Sequence, residues 1–153
     1  MSDLPRSILV SRLWLRLARE ARLEQCLRNL REMVEVLAGK IAQLHPEFTD
    51  HSVKHFDALW SVTDQVLTEE EGKLVTPSEA FVLGSSFYIH DLGMAIGATT
   101  EGISELKKTE SYIATVTRNI RLGMPKEQAE AMAIRLAARA EHAKIACTLV
   151  SCL

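Results

Sequence analysis

Residues 80–94, AFVLGSSFYIHDLGM, decide the fold that we expect for this chain. The stretch is apolar almost throughout, and near its end it carries the adjacent pair His90 and Asp91. An imidazole and a carboxylate in a buried helix are costly unless a partner satisfies them, and a metal ion does this well. Two further histidines, His51 and His55, lie upstream. The pattern predicts a metal site. The alternative is a His90–Asp91 hydrogen bond that holds the helix end.

The bulk composition fits one globular domain with a hydrophobic core. The chain has 153 residues, of which 47% are apolar and 25% charged, and both fractions are typical of globular domains. Aromatic residues are scarce, whereas alanine, leucine, arginine and glutamate are abundant and favour helices. No segment shows the alternation of a strand, so the predicted class is all-α.

The charge pattern gives little support to nucleic-acid binding. The formal net charge is −2, which lacks the basic excess of a nucleic-acid-binding domain. A basic stretch near the N-terminus could contact DNA, but Glu20 and Glu24 interrupt it. Its members are Arg12, Arg16, Arg19 and Arg22. We therefore expect no nucleic-acid partner.

Cysteine usage and hydropathy predict a cytoplasmic protein. Cys26, Cys147 and Cys152 are odd in number and show no pairing pattern, so a disulfide scaffold is not expected. No apolar run reaches the ~20 residues that span a bilayer, and the N-terminus lacks a secretory signal. We expect no membrane partner.

Residues 1–44 are predicted to form a long amphipathic helical segment, and residues 45–153 a helical domain. The segment 6–44 is expected to be one helix or two consecutive ones, ended by His45-Pro46. Its apolar residues alternate at spacings of four and three: Leu23, Leu27, Leu30, Val34, Leu37, Ile41 and Leu44. Such a seam either packs on the core of its own chain or pairs two chains as a coiled coil.

Four further helices are expected after proline 46. The second helix should run from about Thr49–Asp50 to Leu67, and residues 68–75 should form an exposed acidic loop. Thr76-Pro77-Ser78-Glu79 is a capping box that begins the third helix, which should end near Gly93. Residues 94–100 should form a loop, residues 101–122 a helix broken near Thr109 and stopped by Gly123, and Pro125 should open the last helix.

The histidines fall on helix faces that we expect to point inward. His51 and His55 are four residues apart and share one face, and His55 heads an apolar stripe made of Leu59, Val62 and Val66. Asp57 is placed to accept a hydrogen bond from a metal-bound imidazole. Gly93 is expected to let the third helix stop directly after the His-Asp pair.

The last helix offers a further ligand and a phosphate contact. His142 belongs to an apolar stripe formed by Ala131, Ile134, Ala138, His142, Ile145, Leu149 and Cys152. Arg139, one turn earlier, could hold a phosphate through two hydrogen bonds. The alternative is that Arg135 and Arg139 lie on a solvated face and pair with Glu130 and Glu141.

These motifs resemble those of a known superfamily. The order His…His-Asp within helices is similar to that of the HD superfamily of metal-dependent phosphohydrolases. The segments FTDHSVKH (48–55), TPSEAFVL (76–83) and HDLGM (90–94) resemble the HD branch found beside Hsp90-like ATPase modules in larger bacterial proteins. Arg139 and His142 resemble a later Arg-x-x-His element of that branch. The resemblance covers roughly residues 45–150.

The resemblance implies an HD-like helical bundle that binds a divalent metal, Mn²⁺, Fe²⁺, Ni²⁺, Zn²⁺ or Mg²⁺. In the superfamily an early histidine, the His-Asp doublet and a late aspartate hold the ion. Carried onto this chain, His55 is the first ligand, with His51 its rival or a ligand of a second ion. His90 and Asp91 form the catalytic doublet, and His142 is an accessory ligand or phosphate contact. The implied reaction is hydrolysis of a nucleotide or phosphate ester by metal-bound water.

One element of the superfamily pattern is missing. The chain has no aspartate after Asp91, and it ends within an apolar run, residues 149–153. We therefore expect an HD bundle that is incomplete at its C-terminal end. This departure leaves a second hypothesis open, a catalytically inactive helical sensor or interaction module of an ATPase-associated bacterial protein. Such a module would dock a partner chain, or a second copy, through residues 23–44 and the C-terminal helix.

Overall fold

The computed structural model describes residues 4–45 and 52–151, except for the side chains of residues 42, 43 and 148–151. All of its regular elements in these ranges are helices, which confirms the predicted all-α class. The elements are α1 Arg6–Leu9, α2 Arg12–Leu17, α3 Ala21–Leu44, α4 Val53–Val66, α5 Glu69–Leu74, α6 Pro77–Ile89, a 3-10 helix Leu92–Ala98, α7 Thr100–Leu106, α8 Glu110–Arg121 and α9 Lys126–Ser151.

Residues 94–100, predicted as a loop, lie mostly in the 3-10 helix Leu92–Ala98, so that prediction was wrong. Two further local predictions were wrong because polar caps divide the chain more finely than hydrophobic periodicity indicates. The segment 6–44 forms three helices. The Ser11 hydroxyl accepts a hydrogen bond from the Trp14 N–H and caps the N-terminus of α2, which separates it from α1. The expected acidic loop contains α5, which is held by a capping box between Thr68 and Glu71. A side-chain oxygen that satisfies free N–H groups stabilises even a short helix.

The chain divides into two compact units. The first unit comprises Met1–Gly39 and Thr49–Ile89. In it α6 packs on α2 and α4, and α1 packs on α4. Trp60 lies fully buried at the centre, with its ring edge-on to Trp14 and Phe87. Gly84 makes room for it, because a Cβ there would lie 2.6 Å from the indole.

Two arginines of the predicted basic stretch fasten helices together inside the first unit. The Arg12 backbone N–H donates to Asp64 Oδ1 at 2.9 Å, and its guanidinium donates to the carbonyls of Asp64 and Leu67 at the end of α4. Arg16 Nε donates to the Val75 carbonyl at 2.7 Å. These guanidinium groups donate to carbonyls at the C-terminal ends of α4 and α5, where the last carbonyls have no hydrogen-bond partner within the helix.

The second unit comprises Lys40–Phe48 and His90–Leu153. Its α8 and α9 form an antiparallel hairpin whose turn contains Gly123, at a φ of 86° that favours glycine. Thr109 caps α8, so both the predicted break and the predicted stop are confirmed. The core residues are Leu106, Tyr112, Ala133, Ala137 and Ala138.

The predicted seam of α3 is buried or half-buried along its length. Leu27, Val34 and Ile41 are at most 1% exposed, and Leu23, Leu30, Leu37 and Leu44 are half-buried. This burial is what a helix packed on its own core requires. The domain boundary at residues 44–45 stays a prediction. Among the described residues, no helix combines the length and apolarity needed to cross a bilayer.

Candidate metal centre

The His-Asp doublet lies in a turn and not inside a helix. Helix α6 ends at Ile89, so His90 and Asp91 form the link to the 3-10 helix that begins at Leu92. The prediction that α6 continues to Gly93 was wrong. The Asp91 carbonyl accepts from the Met94 N–H at 2.9 Å and starts the 3-10 helix. The His90 side chain is 40% exposed, whereas that of Asp91 is 12% exposed.

The carboxylate of Asp91 faces two imidazoles, one with each oxygen. Its Oδ2 lies 3.0 Å from His90 Nε2, and its Oδ1 lies 3.9 Å from His142 Nε2. The first distance is within hydrogen-bond range, while the second is too long for a hydrogen bond. The structure therefore brings together three of the predicted site residues within the second unit.

The orientation of the His142 ring is fixed by the backbone of its own helix. Its Nδ1 lies 2.6 Å from the Arg139 carbonyl oxygen. A carbonyl only accepts, so Nδ1 carries the hydrogen, and in the neutral ring Nε2 keeps its lone pair on the Asp91 side. Histidines that bind metals usually have their second nitrogen held in this way. The ring is therefore oriented as a ligand requires.

Gly93 brings the 3-10 helix against the backbone of α9. A Cβ on Gly93 would lie 2.0 Å from the His142 carbonyl oxygen and 2.7 Å from its carbonyl carbon. The predicted role of Gly93 as a helix stop was wrong, because α6 ends earlier and Gly93 has no positive φ. Its missing side chain instead allows the approach that places Asp91 beside His142.

Of the two upstream histidines, the structure describes His55. His55 is half-buried in the first turn of α4, with its ring edge-on to Phe56. The apolar stripe expected to lead it inward is not the buried face, because Val62 and Val66 are 46% and 74% exposed. The buried residues of α4 are Val53, Phe56, Asp57 and Trp60. His51 lies outside the described residues, as do the caps expected at Thr49 and Asp50.

Asp57 belongs to a buried hydrogen-bond network that sequence reasoning missed. Arg31 donates to both of its oxygens, at 3.0 and 2.6 Å, and the Tyr88 hydroxyl donates to Oδ1 at 3.0 Å. The Trp60 N–H donates in turn to the Tyr88 oxygen at 3.1 Å. A charged residue next to Phe56 on the buried face of α4 was the signal that a cation lies opposite.

The network keeps Tyr88 and Arg31 protonated. Burial, followed by the charge of Asp57, raises the pKa of the Tyr88 phenol far above its ordinary value of 10. The hydrogen bond to Asp57 raises the pKa of Arg31 as well. Tyr88 and Arg31 therefore remain donors to the carboxylate throughout the accessible pH range.

On α9, Arg139 is exposed and Arg135 is half-buried. The Arg139 carbonyl orients His142, as described above. The phosphate contact of Arg139 and its pairing with a neighbouring carboxylate both stay predictions.

These features define an all-α domain that carries a His-Asp doublet against a histidine of a later helix. The family model described as HD-CE matches residues 45–151. The chain belongs to the HD-CE family. Comparisons with curated proteins and with solved structures gave no match.

Proposed function

We propose that this HD-CE domain is a metal-dependent phosphohydrolase that acts on a nucleotide or another phosphate ester. The observation that carries the proposal is the Asp91 carboxylate, whose two oxygens face His90 at 3.0 Å and His142 at 3.9 Å. Imidazole and carboxylate together suit a divalent cation. The fixed Nδ1–H of His142 adds support, because it leaves Nε2 for a ligand.

The proposed ligand set is His55, His90 and Asp91, with His142 as an accessory ligand. His51 is the further candidate. Two imidazoles and one carboxylate form a donor set that can hold an ion, and two or more nitrogen ligands favour Mn²⁺, Fe²⁺, Ni²⁺ or Zn²⁺ over Mg²⁺, which prefers oxygen.

The surrounding side chains have distinct proposed roles. A bound divalent cation polarises a phosphoryl group and lowers the pKa of water. Asp91 lies between two imidazoles, and its proposed role is to bind the cation together with them. The His90 side chain is 40% exposed, so solvent reaches its ring. Arg139 is exposed one turn before His142 and can bind phosphate oxygens through two N–H groups.

The second candidate is an inactive sensor or interaction module of an ATPase-associated bacterial protein. The observation that favours it is the 3.0 Å contact between His90 Nε2 and Asp91 Oδ2, which can hold the link after α6 in place without a metal. Such a module would bind a nucleotide or a partner chain without turnover. Residues 23–44 and the C-terminal helix are its proposed docking elements.

Metal content and turnover distinguish the two candidates. Protein purified without chelator should contain near-stoichiometric metal by mass spectrometry, and Asp91→Asn should lose most of it. Glu127→Gln, an exposed carboxylate change on α9, is the matched control and should keep it. Metal together with phosphoesterase activity that Asp91→Asn abolishes supports the hydrolase. Nucleotide binding without turnover supports the sensor, and equal metal content in parent and Asp91→Asn contradicts the proposed site.

A further inference from the structure

The turn between α8 and α9 is basic and contains no acidic residue. Residues 111–126 include Arg118, Arg121 and Lys126 but no aspartate or glutamate, although the whole chain has a net charge of −2. Both arginines are exposed in the last turn of α8. In the part of the chain that the structure describes, neither forms an ion pair with a carboxylate, whereas Lys126 Nζ lies 3.8 Å from Glu130. The two arginine charges are therefore available to an anionic partner.

The same turn exposes apolar side chains beside the arginines. Leu122 is 78% exposed and Ile120 is 45% exposed. Leu122 directly follows Arg121 and lies one turn after Arg118, so apolar and cationic groups share this surface. We call residues 118–126 the hairpin tip. Exposed aliphatic side chains next to basic ones are typical of segments that lie at a membrane surface.

The backbone of the hairpin tip is ordered by its own hydrogen bonds. The Gly123 N–H donates to the Ile120 carbonyl at 3.0 Å, and the Met124 N–H donates to the Asn119 carbonyl at 3.0 Å. Gly123, at a φ of 86°, ends α8 as a glycine with positive φ commonly ends a helix. Backbone groups that are paired cost less to move out of water than unpaired ones. The tip can therefore enter a less polar layer without leaving these carbonyls unpaired.

We propose that the hairpin tip binds the surface of an anionic lipid bilayer. The arginines contact the anionic headgroups, and Leu122 enters the boundary between headgroups and acyl chains. Charge complementarity supports this occupant, because the charged residues of the tip are all basic and such a bilayer is negative. The expectation of no membrane partner rested on the lack of a spanning segment, which binding at the headgroups does not require.

Two features favour a lipid surface over a nucleic acid or an acidic protein. The hairpin tip contains no aromatic residue, and proteins use aromatic rings to stack on bases. The exposed Leu122 has no apolar counterpart on a phosphate backbone. The tip is also shorter than the roughly 20 residues that a protein contributes to a standard interface. A bilayer surface accepts both the charges and the leucine on so short a segment.

Co-sedimentation with lipid vesicles tests the proposal. The parent should bind vesicles of phosphatidylcholine that contain about one-third phosphatidylserine, and it should bind pure phosphatidylcholine much more weakly. The double variant Arg118→Gln/Arg121→Gln should lower the partition coefficient about 25-fold, because each charge contributes about fivefold. Leu122→Gln should lower the partition coefficient about tenfold, because it removes the apolar group that enters the bilayer. High salt should weaken the binding of the parent.

Matched control variants lie in the first unit. The double variant Arg19→Gln/Arg22→Gln removes two exposed arginines, and Leu74→Gln replaces a leucine that is 80% exposed. Both should bind like the parent. No binding of the parent to anionic vesicles, equal binding to the two lipid compositions, or an equal loss in tip and control variants overturns the proposal. Binding to double-stranded RNA that is tighter than binding to vesicles also overturns the lipid assignment.

A fluorescent label reports whether Leu122 enters the bilayer. In a background with Cys26, Cys147 and Cys152 replaced by serine, Leu122→Cys carrying an environment-sensitive dye should shift its emission to the blue on anionic vesicles. Leu74→Cys with the same dye should not shift. Equal shifts at the two positions, or no shift at either, overturn the proposal.

Discussion

Replacing Gly93 by alanine tests how the candidate site is assembled. The added Cβ would lie 2.0 Å from the His142 carbonyl oxygen, where carbon–oxygen contacts ordinarily begin at about 3.3 Å. The 3-10 helix must therefore move by about 1 Å, because the neighbour is helix backbone and cannot rotate away. Overpacking of this kind costs about 1–3 kcal/mol, and the shift should carry Asp91 away from His142.

The control is Gly39→Ala, since a Cβ at Gly39 meets nothing within 4 Å. Gly39 lies inside α3, where alanine is favoured over glycine by about 1 kcal/mol, so this variant should be more stable than the parent. Urea unfolding followed by circular dichroism measures both free energies, and metal content measures the effect on the site. A Gly93→Ala variant as stable as Gly39→Ala, with unchanged metal content, would refute the packing of the 3-10 helix on α9 described above.

Three further predictions concern the helices of the first unit. Arg31→Met should destabilise the fold by about 3–5 kcal/mol in urea unfolding, because it leaves the buried Asp57 carboxylate without its cation; a cost below about 1 kcal/mol would contradict the network. Hydrogen bonds from Thr76 lower the pKa of Glu79 below 4.5, so its stabilisation is complete above that pH and lost as the pH falls through the lowered pKa; the thermal midpoint of Glu79→Gln should fall less steeply on acidification than that of the parent. Leu30→Glu should lower stability without changing the sedimentation coefficient, because the α3 seam packs on its own chain, and loss of a dimer would instead assign the seam to pairing.

Side-chain chemistry near one element was predictable from the sequence, and contacts between elements were not. The caps at Thr76, Thr109 and Gly123 were located correctly, because each acts on its own backbone within three or four residues. The all-α class could be predicted from composition, because helix propensity is also a property of each residue and its own backbone. The buried face of α4 was misplaced, since Leu59, Val62 and Val66 fit a helical period as well as Phe56 and Trp60 do. Period alone cannot say which face a neighbouring helix covers.

The site shows the same division between local and long-range information. The apolar stretch around His90 and Asp91 predicted them as ligands from local sequence, and that role stays a prediction, since the structure puts the pair in a turn with His90 40% exposed. The reason for a glycine at position 93 could not be predicted from the sequence. A Cβ there would clash with the His142 carbonyl oxygen, which lies in α9, far along the chain. Arg31 was missed likewise, since its partner Asp57 is on another helix.

The two buried aspartates of this chain differ in what neutralises them, and this difference separates structure from function. Asp57 receives a guanidinium on both oxygens and a phenol, so a permanent cation within the protein balances its charge. The structure shows two imidazoles beside Asp91, at 3.0 and 3.9 Å, and an imidazole can itself bind a divalent cation, which a guanidinium cannot. A carboxylate grouped with imidazoles can therefore take up an added cation, whereas a carboxylate bonded to arginine is already paired with one. Asp57 is thus expected to stabilise the fold, whereas Asp91 is expected to bind a cation from solvent.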